Sequence, residues 1–184
     1  SLVALALRMA SRRLIEGATF AGDRVHDSSI APIDHQVAED GAQPFILIST
    51  EDETADDIGG RDLTGGNRTV DLVIEVAIAQ AVSAAPNVGE GEPIPDEIVI
   101  PATDAGMEVS LALIVRQVTR ALFAQRENPW LDLFSTLCLK VEKVTNRRGV
   151  GNKNGARFAA RQIILTIECL QEPHFGHEPG DNEP

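Results

Sequence analysis

Between residues 70 and 79 the chain alternates without a break, with Val70, Leu72, Ile74, Val76 and Ile78 on one side and Asp71, Val73, Glu75, Ala77 and Ala79 on the other. Successive side chains of an extended strand point to opposite faces, so this period of two predicts a β-strand with one wholly aliphatic face. A helix would scatter the same five aliphatic residues around its axis. The fold must therefore contain a sheet, and at least one face of that sheet must be covered by another layer.

Two segments have the period needed to cover it. Val3, Leu7, Ala10 and Leu14 recur at helical spacing, Arg8, Arg12 and Glu16 lie on another face, and Gly17 stands where a helix commonly stops. Met107, Leu111, Ile114, Val118 and Leu122 form a second stripe, with Thr103 or Asp104 to cap it and Pro129 to forbid its continuation. Trp130, Leu131, Leu133 and Phe134 make a dense apolar cluster, read as a short helix anchoring the main one.

Further strands are expected at Pro44-Phe45-Ile46-Leu47-Ile48-Ser49 and in a hairpin over the last third. In that hairpin Leu137, Leu139 and Val141 alternate, residues 149–155 form a polar Gly/Asn loop, and a long strand over about 156–170 places Ile163, Leu165, Ile167 and Cys169 on one face. Residues 51–67, with six carboxylates and two Gly-Gly pairs, read as a long loop. Residues 83–101, with four prolines, read as another, with residues 98–100 extended. The expected fold class is α+β: a mainly antiparallel sheet of about four strands packed on two main helices, with long loops. Residues 1–170 form one domain and residues 171–184 an extended C-terminal tail whose prolines, glycines and acids cannot build a core.

A length of 184 residues suits one core, and 43% hydrophobic against 24% charged residues excludes wholesale disorder. The formal charge of -12 argues against a general nucleic-acid binder, whose affinity comes from neutralising phosphates. The charge is uneven. Between residues 139 and 161, Lys140, Lys143, Arg147, Arg148, Lys153, Arg157 and Arg161 face only Glu142, a net of +6 that leaves -18 for the rest. Two readings of that window stand side by side: a solvated basic hairpin, or an edge through which one copy meets the acidic body of the next. In the second, Arg147, Arg148, Lys153 and Arg157 are the expected subunit-interface residues.

Cys138 and Cys169 fit reduced, buried thiols of a protein made in a cytoplasm better than an oxidised framework, with a bridge between them left open. Residues 2–7 are apolar but are followed by Arg8, Arg12 and Arg13, the reverse of the charge order in an export signal. No apolar run approaches the roughly 18 residues of a membrane span.

Chemistry-bearing patterns are missing. The Gly59-Gly60 and Gly65-Gly66 pairs lack the Lys-Ser/Thr ending of a phosphate-binding loop, and there is no nucleophile elbow, Cys-x-x-Cys or His-Glu-x-x-His. His174 and His177 with Cys169, Glu172 and Glu178 can be drawn as a metal site, but a Pro/Gly tail offers no rigid outer shell to orient imidazoles. The acids from Asp52 to Asp57 lack calcium-loop spacing, and read as a solvated face or a patch complementary to a basic partner. His26 and His35 have no Ser, Cys or Asp partner at informative spacing. No catalytic, cofactor-binding or metal-binding residue is expected, and the chain does not read as an enzyme.

The segment Ala21-Gly22-Asp23-Arg24-Val25-His26-Asp27-Ser28 followed by Pro44-Phe45, together with the order helix, strand, acidic loop, long strand, core helix and closing hairpin, resembles the tail-terminator proteins of tailed bacteriophages. The resemblance implies a structural virion protein, made in the host cytoplasm, that forms a hexameric ring on the last ring of tail-tube subunits. Such a ring halts tube growth and presents a surface to the head-side neck or connector, while DNA passes without specific binding. The long loops are free to meet a sheath or neck protein. The alternatives are another neck or tail component (a head-completion or tail-tube protein) and a metal-dependent hydrolase built on the acidic loop with His174 and His177.

Overall fold

The computed structural model describes residues 1–28, 43–56, 66–81, 104–124, 127–153 and 156–172. In chain order these form α1 (Leu2–Ile15), β1 (Val25–Asp27), β2 (Phe45–Asp56), β3 (Asn67–Ala81), α2 (Asp104–Ala124), α3 (Pro129–Leu137), β4 (Cys138–Lys153) and β5 (Ala156–Cys169). The strands make one sheet in the order β1-β2-β3-β5-β4, with β1 parallel to β2 and every other pair antiparallel.

The strand that constrained the sequence most, β3, occupies the middle of this sheet. Val70, Leu72, Ile74, Val76 and Ile78 are fully buried, each contributing roughly 1.5–3 kcal/mol of apolar burial. They meet Val3, Leu7, Ala10 and Leu14 of α1 and Met107, Leu111, Ile114, Val118 and Leu122 of α2 in one continuous core, to which Ile163, Leu165, Ile167 and Cys169 of β5 belong. The helices therefore cover one face of the sheet. A smaller apolar cluster of Phe45, Ala77 and Ala160, with Leu47 packed on it, lies on the opposite face.

The α+β class holds, with differences that have physical causes. The sheet has five strands and is mixed. Residues 25–27 pair in parallel with 46–48, and three residues are too few for a period to register in the sequence. Residues 51–56 prolong β2 instead of opening a loop. Glu53 is ion-paired with the buried Arg68, and Thr54, Ala55 and Asp56 lie opposite Thr69, Arg68 and Asn67, backbone pairing that needs no apolar side chains. Likewise β4 continues through residues 149–153, so that Lys153 faces Ala156; Asn154-Gly155, whose sequence suits a two-residue hairpin, lies outside the described residues.

Leu137 closes α3 rather than opening a strand, and Leu139 is 57% exposed at an irregularity between Cys138 and Lys140. α3 starts from Asn128, whose side chain accepts the Trp130 N–H, with Pro129 at its first turn. It buries Phe134 and Leu137, while Trp130 and Leu133 stay partly exposed and Trp130 lies under the Arg13 guanidinium. Periodicity thus overrides the clustering of apolar residues. The segment 83–101 and the tail beyond residue 172 lie outside the described residues.

Candidate functional site

The basic window spans the outermost strand of the sheet and the start of its neighbour: Lys140, Lys143, Arg147, Arg148 and Lys153 lie on β4, Arg157 and Arg161 on β5. β4 pairs with β5 on one side, and among the described residues no strand pairs with its other side. A long edge of this kind presents a row of backbone donors and acceptors that another chain can use. After irregularities at Leu139 and Glu142, pairing with β5 runs unbroken from Lys143 to Lys153.

Arg147 and Arg148 are consecutive, so they emerge on opposite faces. Arg148 turns to the helix side, where its guanidinium lies 2.6 Å from one oxygen of Glu108 in α2, while Arg161 of β5 lies 2.8 Å from the other. The Arg161 hydrogen bond, helped by the charges of both arginines, holds the Glu108 carboxyl below the usual carboxylate range. Arg147 is exposed on the other face. Lys140, Lys143 and Arg147 stand opposite Glu168, Thr166 and Gln162 of β5, and so share the face away from the helices. Lys153 and Arg157 flank the hairpin turn, opposite Ala156 and Asn152, with side chains outside the described residues. The four expected interface residues thus lie on one hairpin, and Arg148 also ties that hairpin to α2.

The other edge has the opposite sign. β1 covers β2 only at residues 46–48, so residues 50–56 have no strand neighbour on that side among those described. Glu51, Asp52 and Asp56 are exposed there. Glu53 is different: burial alone raises its pKa, but hydrogen bonds from the Ser1 nitrogen and Arg68 outweigh this and hold its carboxyl below the usual range. A sequence reading takes these acids for a loop. Thr50 and Thr54, β-favouring residues beside these acids, were the available sign of a strand.

No protein-family model and no curated protein matches this chain. Residues 17–28 and 44–48 form one local unit. Gly17 and Gly22 adopt positive φ of 70° and 57°, conformations glycine enters without strain, and allow a tight turn closed by Gly17 N–H to Gly22 C=O at 3.0 Å. Arg24 then joins the two separated pieces: its Nε donates to the Pro44 carbonyl at 2.9 Å and its carbonyl accepts from the Ile46 N–H at 2.9 Å. His26 packs edge-on against Phe45, and Asp27 pairs with Arg8 of α1 at 2.6 Å.

Among the described residues no three His, Cys, Asp or Glu side chains converge as metal ligands. His35, His174, His177 and Glu178 lie outside those residues, and Glu172 instead accepts backbone N–H groups of Leu2 and Val3 at the start of α1. Cys138 and Cys169 sit directly opposite one another across β4 and β5 as free thiols. Burial raises both, Cys169 to about 11, so neither is an activated nucleophile. A groove of about 120 Å³ between α2 and β4, lined by Val115, Thr119, Phe123, Val144, Asn146 and Leu165 among others, holds no titratable side chain. No helix among the described residues is long and apolar enough to cross a membrane.

Proposed function

We propose that this chain is a structural virion protein of a tailed bacteriophage: a tail terminator whose copies form a hexameric ring, cap the tail tube and join it to the head-side neck. The observation that carries this reading is that the strongly basic window of an acidic chain spans the outer strand of its sheet, which among the described residues has no strand on its other side. A ring needs two unlike, complementary surfaces on each subunit, related by a rotation that closes. A protomer with one basic edge and an acidic remainder meets that requirement, and a net charge of -12 lets DNA pass a channel wall without being gripped. The hydrogen bonds by which Arg24 joins Pro44 and Ile46 support the same reading, since they bring the two resembling segments together.

The test is size-exclusion chromatography with light scattering, followed by electron microscopy of the assembled species. A closed ring of about six copies that docks on purified tail tubes is the expected result. A chain that stays monomeric at high concentration and does not join tails sinks the proposal. A ring found elsewhere in the particle makes it a different neck or tail component.

A further inference from the structure

Among the described residues neither β4 nor the part of β2 beyond β1 has a strand neighbour on its outer side, and these two edges match in more than the sign of their charge. Counting across the register, β2 and β5 run in one direction and β3 and β4 in the other, so the outward edges of β2 and β4 are antiparallel. A second copy placed beside the first by continuing the sheet would bring its β2 against β4 in the antiparallel sense, the pairing open to neighbouring strands without further rearrangement.

The side chains agree with that placement. Thr50 and Glu53 lie opposite Leu72 and Val70, on the helix side, while Asp56 lies opposite Asn67, on the face away from the helices. Glu51 approaches Glu75, whose neighbours Leu47 and Gln162 belong to the same outer face. Glu51 and Asp56 therefore share the face on which β4 carries Lys140, Lys143 and Arg147. Joined edge to edge, the acids of one copy stand beside the bases of the next, all of them solvent-exposed in a lone protomer. Opposite charges on adjacent strands favour pairing and like charges disfavour it, so β4 is repelled by another β4 and drawn to β2.

We infer that the sheet is continued between copies of this chain, the free part of β2 beyond β1 in one copy adding as an antiparallel strand to β4 of the next. The inference rests on the reading that the chain assembles with itself and specifies which strands meet. The contact is heterologous: each copy offers one β2 edge and one β4 edge, and the right-handed twist of a sheet supplies a rotation at every step. Backbone hydrogen bonds provide attraction and the charges choose the partner edge.

A charge-swap experiment tests it with the full chain. One variant carries Lys143→Glu and Arg147→Glu, the other Glu51→Lys and Asp56→Lys; each is checked by circular dichroism for native secondary structure. Alone, each variant sets like charges against like and should assemble at least about 10-fold more weakly than the original chain. Mixed in equal amounts they should assemble to within about 3-fold of it, because every joint can then pair opposite charges. Hydrogen exchange on the unmutated chain gives a reading that does not depend on variants folding: amides of residues 50–56 and 143–149 should exchange at least about 10-fold more slowly in the oligomer than in the dilute protomer. If the unmutated chain assembles while the mixture stays apart or those amides gain no protection, the strand pairing is overturned and the assembly reading survives. If the unmutated chain never assembles, the assembly reading itself falls.

Discussion

Two glutamates in neighbouring strands answer the same change of pH in opposite directions. Burial raises the Glu53 carboxyl, yet the hydrogen bonds from the Ser1 nitrogen and the Arg68 guanidinium more than reverse it, and the net folded pKa falls below 4.5. Its contribution to stability is therefore complete above the unfolded value and lost as pH drops through the folded one. Glu53→Gln should cost about 1–2 kcal/mol at pH 7, chiefly because the contact with the guanidinium of Arg68, a residue only 9% exposed, loses its charge. Urea melts at pH 7 and pH 3 should show the difference from the original chain shrinking at the lower pH. Glu75 has the reverse problem. It stands between Leu47 and Gln162, burial pushes its pKa up, and the charge of Glu51 pushes it further. Its favourable term is present below 4.5 and lost as pH rises through the raised value, so at pH 7 the ionised carboxylate weakens the fold. Glu75→Gln should stabilise by about 0.5–1 kcal/mol at pH 7, after allowance for partial solvent screening, and change nothing at pH 3. A destabilised Glu75→Gln protein at neutral pH would show that the carboxylate has a partner.

At the scale of elements, β3 is the member whose loss the fold cannot absorb, because β2 and β5 flank it and α2 packs on its aliphatic face, in the core that α1 shares. Ile74→Asp places an unpartnered carboxyl where the native side chain has no exposure. The cost should exceed about 3 kcal/mol, a large share of the ~5–15 kcal/mol typical of a whole domain. Loss of the cooperative thermal transition is the expected observation, and an unchanged melt would mean that the core is not organised around this strand. The same strand explains how much of the fold was legible in the sequence. β3, α1, α2 and β5 each bury a regular stripe, and a stripe is a one-dimensional signal. What escaped was held together by long-range backbone pairing or by single polar contacts. β1 is three residues supported by β2, the acidic end of β2 is carried by β3 and Arg68, and the end of β4 is carried by β5. The candidate site was legible by half for the same reason. The bases stand out as an excess of charge in a chain of opposite sign, whereas Glu51, Asp52 and Asp56 become an edge only once residues 51–56 are known to be a strand.

For the whole molecule the question is which charges hold a protomer together and which are left for its neighbours. Arg147 and Arg148 separate the two roles within one dipeptide. Arg148 and Arg161 grip Glu108, so they fasten the outer two strands to α2. Reversal by Arg148→Glu sets a second carboxylate against Glu108 and should lower the melting temperature by roughly 1–2 °C, at any protein concentration. Arg147 has its charge on the free face, remote from that clamp. Arg147→Glu should leave the melting temperature of the dilute protomer unchanged and weaken assembly at least about 3-fold at low salt. At about 0.5 M salt, where exposed charges are screened over a few ångströms, the original chain and the variant should assemble equally. Differential scanning fluorimetry with light scattering at two salt concentrations separates these effects. Arg147→Glu lowering stability as much as Arg148→Glu would make the basic edge part of the protomer's own architecture, and a loss of assembly that persists at high salt would make the contact steric instead of electrostatic.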